Sequence, residues 1–395
     1  MRLRLPEARC QRQRGAFFTF GPSSPTKIVV SGWDYKSAGI DYEILDAFKR
    51  ACQREAQATQ DALEAHGLRL APQVRGESAF VLEGRDEFLA HVEEGLGTKN
   101  LVADAMRHLT GRCFYHAIGI DLVATIVNDL ITCGALPVCV AMHAAAGDSR
   151  WFEDTARAVA LARGFAEGCR LAGAVWGGGE TPALPGMVEA STIVLAGSAI
   201  GRISPKSHRI TGDIRPGDQI ILLASSGVQT NGLSLCRALA GTLPDGYLTP
   251  MGDGRLFGEA LLDASHVYVR VIADLLAGGI VPSGAAHITG HGWRKLMRSN
   301  APVIHRISEP GSIPPIFQFI QHQARLDDRQ MYATFNMGAG FALWVHPDQT
   351  EPALAIARRH FRAWRAGECV QAGKRKAVEI LPAGIVFESD TLQLR

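Results

Sequence analysis

The sequence predicts a two-domain fold of the α+β or α/β class, with an α/β domain at the C-terminus. Three observations carry that expectation. At 395 residues the chain exceeds what one ordinary core organises. Strand-like apolar runs alternate with helix-period segments through both halves. Turn dipeptides Ser204-Pro205, Thr211-Gly212 and Pro216-Gly217 cluster between the halves and place a boundary in Gly201 to Pro216. The expected division is an extension over 1–33, an N-terminal domain over 34–205 and a C-terminal domain over 213–395.

Taken in order, the extension is acid-poor: Arg2, Arg4, Arg9, Arg12 and Arg14 face only Glu7. It reads as a disordered extension, as sequence upstream of a later start, or as a transit peptide. An amphipathic helix is expected from Ile44 to His66. Phe80-Val81-Leu82 is strand-like, and a polar helix is expected after Asp86. Val138 to His143 reads as a buried strand, Ala156 to Leu171 as an Ala-rich helix capped near Gly173, and Ile193 to Ile200 as a strand. In the second half, strand Gln219 to Ala224 runs into the polar loop Ser225 to Gly232, which opens a helix at Leu233. A helix is expected to start over Trp293 to Met297, a strand over Phe341 to Val345, a last helix over Pro352 to Ala366 and a short strand over Ile385 to Phe387.

Composition narrows the function classes. A net charge of +2 gives no concentrated basic surface for a phosphate backbone, so a small-molecule partner is expected rather than nucleic acid. Eight cysteines lie scattered without a C-x-x-C pair, which suggests reduced thiols in a cytosolic protein. No apolar run approaches the ~20 residues that span a bilayer, so no membrane partner is expected.

The chemistry centres on Tyr115 to Pro137. Ile118, Leu122, Ile126, Leu130 and Ile131 give Asp121 to Cys133 one apolar helical face, stopped by Gly134 and Pro137. Asp121, Asn128 and Asp129 fall on neighbouring faces two turns apart, a plausible hard-cation set that solvated surface residues would mimic. Upstream, Glu94-Gly95-Leu96-Gly97-Thr98-Lys99 would let the backbone approach an oxyanion, with a hydroxyl and a charge suited to phosphate, although a plain turn has the same look. No P-loop spacing occurs. Gly177-Gly178-Gly179-Glu180 places a carboxylate at an opening where a ligand or another backbone comes close. His287-Ile288-Thr289-Gly290 stands at a strand-to-helix junction, where a histidine is either a proton carrier or a satisfied structural group.

These patches together resemble the aminoimidazole ribonucleotide synthetase family, also called phosphoribosylformylglycinamidine cyclo-ligase. The resemblance runs from about Asp34 to the C-terminus. It is carried by Tyr35 to Asp41, Gly95 to Lys99, Ile118 to Val123, Val127 to Leu130, Gly178 to Thr181, Pro185-Gly186-Met187, Ser225-Ser226-Gly227, Asn231-Gly232, His287 to Gly290 and Thr334-Phe335-Asn336. It implies a homodimer whose N-terminal sheets join into a barrel, with the C-terminal α/β domains outside. It also implies ATP and Mg²⁺, and phosphorylation of the amide oxygen of formylglycinamidine ribonucleotide so that an internal nitrogen closes the imidazole ring. By the same resemblance Asp129 is the main Mg²⁺-ATP carboxylate, helped by Asn128 and Asp121. Glu94, Gly95, Gly97, Thr98, Lys99, Gly178, Gly179 and Glu180 would face the nucleotide, and His287, Asn231 and Thr289 the substrate.

The chain departs from the family at several positions. Glu94 stands for the family's Asp, and the glycine-rich loop upstream has no counterpart in Ala71 to Glu94. Gln229 takes the position of a histidine, His116-Ala117 that of Asp-Thr, and His291 interrupts a run of three glycines. Two alternatives to the cyclo-ligase follow: a paralogue using the same ATP chemistry on another amide-like substrate, or a nucleotide-binding protein without catalysis.

Overall fold

The computed structural model describes residues 42–72 and 78–389. The expectations for residues 1–33 and for Tyr35 to Asp41 lie outside these. Helix α1 (Tyr42–Gln57) is followed by a short 3₁₀ segment, Gln60–His66, which together cover the helix expected from Ile44 to His66. Strands β1 (Arg69–Leu70), β2 (Phe80–Glu83) and β3 (Phe88–Gly95) come next. Residues after Asp86 thus form a strand and not the expected helix. Phe88, Ala90 and Val92 are buried in alternation, so period two prevailed over the polar composition.

Helices α2 (Lys99–Thr110) and α3 (Tyr115–Leu130), strand β4 (Leu136–Ala146), helix α4 (Thr155–Ala172) and strands β5 (Val175–Glu180) and β6 (Ile193–Ile203) complete the first half. The six strands form one sheet in the order β1-β2-β3-β6-β4-β5. Only β4 and β5 pair in parallel. The N–H of Gly173, in a left-handed conformation, closes α4 as its sequence position suggests.

The second half contains β7 (Gln219–Ala224), α5 (Leu233–Ala240), α6 (Phe257–Leu261), α7 (Val269–Ala277), β8 (Gly284–His287), β9 (Ile304–Ile307), α8 (Pro315–Ala324), α9 (Asp328–Thr334), β10 (Ala339–Val345), α10 (Thr350–Ala357), β11 (Ala363–Val370), β12 (Ala377–Ile380) and β13 (Ile385–Glu388). Its seven strands run β13-β12-β9-β11-β7-β10-β8. Strand β10 is buried along its whole length, as expected of an apolar run inside a sheet. The last helix stops at Ala357, well short of Ala366, because Ala363 to Val370 pairs with β7 and β9 as a strand. Trp293 to Met297 forms a 3₁₀ turn rather than an α-helix.

Helix α3 is the centre of the first half. Every residue in it except His116 and Ala117 is buried. With the 3₁₀ turn that follows, Tyr115–Cys133 is 19 residues long and apolar enough by composition to cross a membrane, which corrects the expectation that no run approaches that length. Its burial explains the hydropathy, since a core helix covered on all sides is apolar over most of its surface.

Close approach of α4 to α3 depends on glycines. A Cβ on Gly164 would lie 1.9 Å from the carbonyl oxygen of His116, and one on Gly119 would lie 2.4 Å from the amide nitrogen of Phe165. Backbone cannot yield as a side chain does. Gly164→Ala is therefore expected to destabilise the protein by about 3 kcal/mol through overpacking, seen as a lower urea midpoint with unchanged slope. A midpoint equal to that of the parent would refute this account of the crossing.

Candidate active site

One polar stripe on α3 organises the site. Asp121, Thr125, Asn128 and Asp129 follow an i, i+4, i+7, i+8 pattern, so the helix presents them together. All four are buried, and each bonds to the C-terminal half. Asp121 accepts from the Ser265 amide at 2.8 Å and from the Ser265 hydroxyl. Its other oxygen lies 2.7 Å from Lys99 Nζ, which also donates to the Asp263 carbonyl at 2.7 Å. Burial pushes the Asp121 carboxyl up, and Lys99 and Ser265 pull it back. The Thr125 hydroxyl donates to that of Thr230 at 2.9 Å. Asn128 donates to the His266 carbonyl at 2.8 Å and accepts from the Tyr268 amide at 2.9 Å. Asp129 Oδ1 meets His287 Nδ1 at 2.6 Å. The stripe is a seam joining the halves.

At one end of this seam opens a pocket of about 300 Å³. Glu94, Asp129, Asn231, Thr289, His291 and Lys295 line it. Burial, reinforced by Asp129, pushes the Glu94 carboxyl up to about 7. Burial alone would raise Asp129 too, but Lys295 and the His287 hydrogen bond outweigh it and hold that group below the ordinary carboxylate range. Burial and the nearby Arg298 bring the Lys295 ammonium down to about 8. Burial, aided by Lys295, lowers His291 to about 3, so its imidazole is neutral at physiological pH. The pocket thus pairs two carboxylates of unlike tendency with a dense group of cations.

The structure brings Glu94, Gly95, Gly97, Asp129, Asn231 and Thr289 together on this wall. It does not bring the other expected residues there. Asp121, Asn128 and Lys99 are committed to the seam, so Asp129 is the one member of the expected metal set that reaches the pocket. Thr98 precedes α2 without lining the wall. His287 stands behind Asp129 and faces a second, inner cavity. Gly178, Gly179 and Glu180 lie on exposed β5. A Cβ on Gly179 would meet the Met142 carbonyl oxygen at 1.9 Å, so this glycine serves strand pairing with β4.

Gln229 is also absent from the pocket wall. It is buried with φ of 56°, and its Nε2 donates to the Tyr268 hydroxyl at 3.0 Å, which in turn donates to the Ala224 carbonyl at 2.8 Å. Where the resemblance expects a histidine, Gln229 thus makes a buried contact with Tyr268 and does not face the pocket. Sequence reasoning missed Lys49, Lys295 and Arg298, which also line the pocket. Lys295 and Arg298 carried a faint signal, two cations within ten residues after His-Ile-Thr-Gly; Lys49 on a polar helix carried none.

Known proteins resemble this chain over most of its length. The family model described as AIR synthase related protein, N-terminal domain, matches residues 76–203, and that described as AIR synthase related protein, C-terminal domain, matches 215–380. The phosphoribosylformylglycinamidine cyclo-ligase of Carboxydothermus hydrogenoformans is 34% identical over 354 residues, covering 87% of this chain and 98% of the relative. The enzyme of the same name from a Synechococcus species is 34% identical over 361 residues, covering 89% and 100%. Among solved structures, hydrogenase maturation protein HypE in complex with ATP superposes with a TM-score of 0.54 at 19% identity, covering 76% of this chain and 84% of that one. AaThiL complexed with AMPPCP and TMP gives a TM-score of 0.55 at 14% identity, covering 82% and 91%. At such identities the likeness is one of fold.

Proposed function

Because this chain belongs to the AIR synthase related family, as a relative of the phosphoribosylformylglycinamidine cyclo-ligases, we infer that it is an ATP-dependent cyclo-ligase of purine biosynthesis. It closes formylglycinamidine ribonucleotide to aminoimidazole ribonucleotide. The single observation that carries the site's part in this is the pocket where Glu94 and Asp129 face Lys49, Lys295 and Arg298. That donor set suits a magnesium-bound polyphosphate. Mg²⁺ is held through one or two carboxylates plus phosphate oxygens rather than by an all-protein cage. Glu94 stands beside Asp129 on the pocket wall, and burial first and Asp129 second push its carboxyl up, a cost that a bound cation would relieve.

When bound, Mg²⁺-ATP supplies the phosphoryl group that turns a poor leaving oxygen into a good one. The chain's own residues position and shield. Asp129 and Glu94 would hold the metal, and Lys49, Lys295 and Arg298 would offset the phosphate charge. Gly95 and Gly97 allow close backbone approach, while Asn231 and Thr289 offer hydrogen bonds to the substrate. His287, hydrogen-bonded to Asp129, fixes that carboxylate's orientation from behind.

A homodimer is part of this reading. Val138, Val194 and Ile200, on β4 and β6, are 45%, 51% and 51% exposed on the outward side of the first sheet, an apolar face that a second copy would cover as the two sheets join. The described cysteines are free thiols, consistent with a cytoplasmic enzyme. Supplying formylglycinamidine ribonucleotide, ATP and Mg²⁺ is expected to yield aminoimidazole ribonucleotide with a kcat on the order of 1–10 s⁻¹. If folded, dimeric protein forms no ATP-dependent product, the cyclo-ligase assignment fails.

A further inference from the structure

Behind the pocket wall lies the inner cavity, of about 50 Å³, bounded by the start of β2, the chain after β6, β8 and the 3₁₀ turn Gly292–Arg298. A water occupies roughly 10–15 Å³ on this measure, so the space suits a cluster of a few waters or one group of phosphate size. Its lining is one-sided in charge. Arg209, Lys295, Arg298 and His287 face it together with the hydroxyls of Ser78 and Ser299, and among the described residues no carboxylate does.

Three further facts point to a ligand. Arg209 Nε and Ser299 Oγ are buried without a hydrogen-bond partner. Such orphans are rare in folded proteins and mark a missing water or ion. Lys295 is 7% exposed, and the carboxylates of Asp129 and Glu94 offset its charge through space, without an ion pair to a carboxylate among the described residues. Finally, Lys295 and Arg298 line the reaction pocket as well, so an anion here would sit next to the chemistry. Arg298 is already oriented, since its Nη1 donates to Ser78 Oγ at 2.7 Å.

We propose that the inner cavity is a phosphate-binding subsite. It rests on the cyclo-ligase reading only for the source of the phosphate, which is either the ribose phosphate of the substrate or the inorganic phosphate released on ring closure. Both present a tetrahedral dianion to the same cations, and guanidinium and ammonium groups donate to it in charge-assisted hydrogen bonds.

The test titrates inorganic phosphate, and separately ribose 5-phosphate, into the full-length protein without ATP, with chloride at matched ionic strength as control. Heat release and the shift of melting temperature are both recorded. The parent is expected to bind phosphate specifically, and Arg209→Gln and Ser299→Asp to weaken it at least about tenfold, as loss of a charge-assisted contact or addition of a like charge should. Arg209 also stacks on Phe88, so Ser299→Asp serves if the arginine variant misfolds. Binding of both ligands, with a raised KM for formylglycinamidine ribonucleotide in the variants, assigns the cavity to the substrate's phosphate. Binding of inorganic phosphate alone, with weakened product inhibition, assigns it to the product. Either result supports the subsite. Absence of binding beyond the chloride control, or binding that the folded variants leave within twofold of the parent, overturns it. Because binding is read without turnover, its failure leaves the cyclo-ligase assignment standing, and an inactive enzyme would leave the binding result standing.

Discussion

Asp129→Asn is expected to lower kcat/KM by about 10²- to 10³-fold, the size of effect that follows removal of one preorganised group stabilising transition-state charge. The substitution keeps the shape of the side chain and removes its charge. Asp129 reaches the pocket from α3 and is held ionised by Lys295 and His287. Without that charge, a magnesium ion bound as proposed would lose one of two carboxylates, and Lys295 would lose one of the two carboxylates that offset its charge. Binding of Mg²⁺-ATP should weaken along with turnover, while far-UV circular dichroism stays unchanged because the amide can still hydrogen-bond His287. A folded variant retaining a third or more of the parent kcat/KM would remove Asp129 from the reaction.

The second large effect concerns stability. Lys99→Ala and Asp121→Ala each leave a fully buried charge without its partner, and each is expected to cost about 3–5 kcal/mol. The double replacement Lys99→Met with Asp121→Leu should recover much of that loss, since an apolar pair of similar volume avoids the desolvation of two ions. Urea unfolding of the parent, Lys99→Met, Asp121→Leu and the double variant gives the coupling directly. Additive losses in the double variant would mean that the pair does not act as a unit. The same proteins test the nucleotide role that the sequence assigned to Lys99. Its ammonium is sealed within the seam, so a folded Lys99→Ala protein should keep its KM for ATP within about threefold, and a rise above tenfold would restore a phosphate contact.

Much of the architecture was legible because periodicity reports burial directly. The four-residue spacing of Ile118, Leu122 and Ile126 marked α3, and the apolar run Gln219 to Ala224 has the bounds of β7. Where composition and period conflicted, composition misled: the polar stretch after Asp86 read as a helix, although the alternation over Phe88 to Gly95 was that of a strand. The site was legible in part. Glu94, Asp129, Asn231 and Thr289 stood in recognisable patches, and those patches converge. The polar stripe of α3 was visible as a stripe, but nothing local tells a metal-binding face from a docking face. That distinction depends on Ser265, His266 and Tyr268, well over a hundred residues away in the chain. Lys295 was invisible for a related reason, because a lysine becomes notable only when the fold buries it.

The hydrogen-bonded contact between α3 and the loops at Ser265 and Thr230 and the end of β8 at His287 also restricts how reactants enter and leave. Swinging the two halves apart as a clamshell would tear several buried polar contacts at every catalytic cycle. Traffic should instead pass along the rim beside Lys49 on α1, an exposed element whose displacement leaves the rest of the enzyme locked. Cross-linking α1 to that rim would then stall turnover, whereas cross-linking the halves to each other would not.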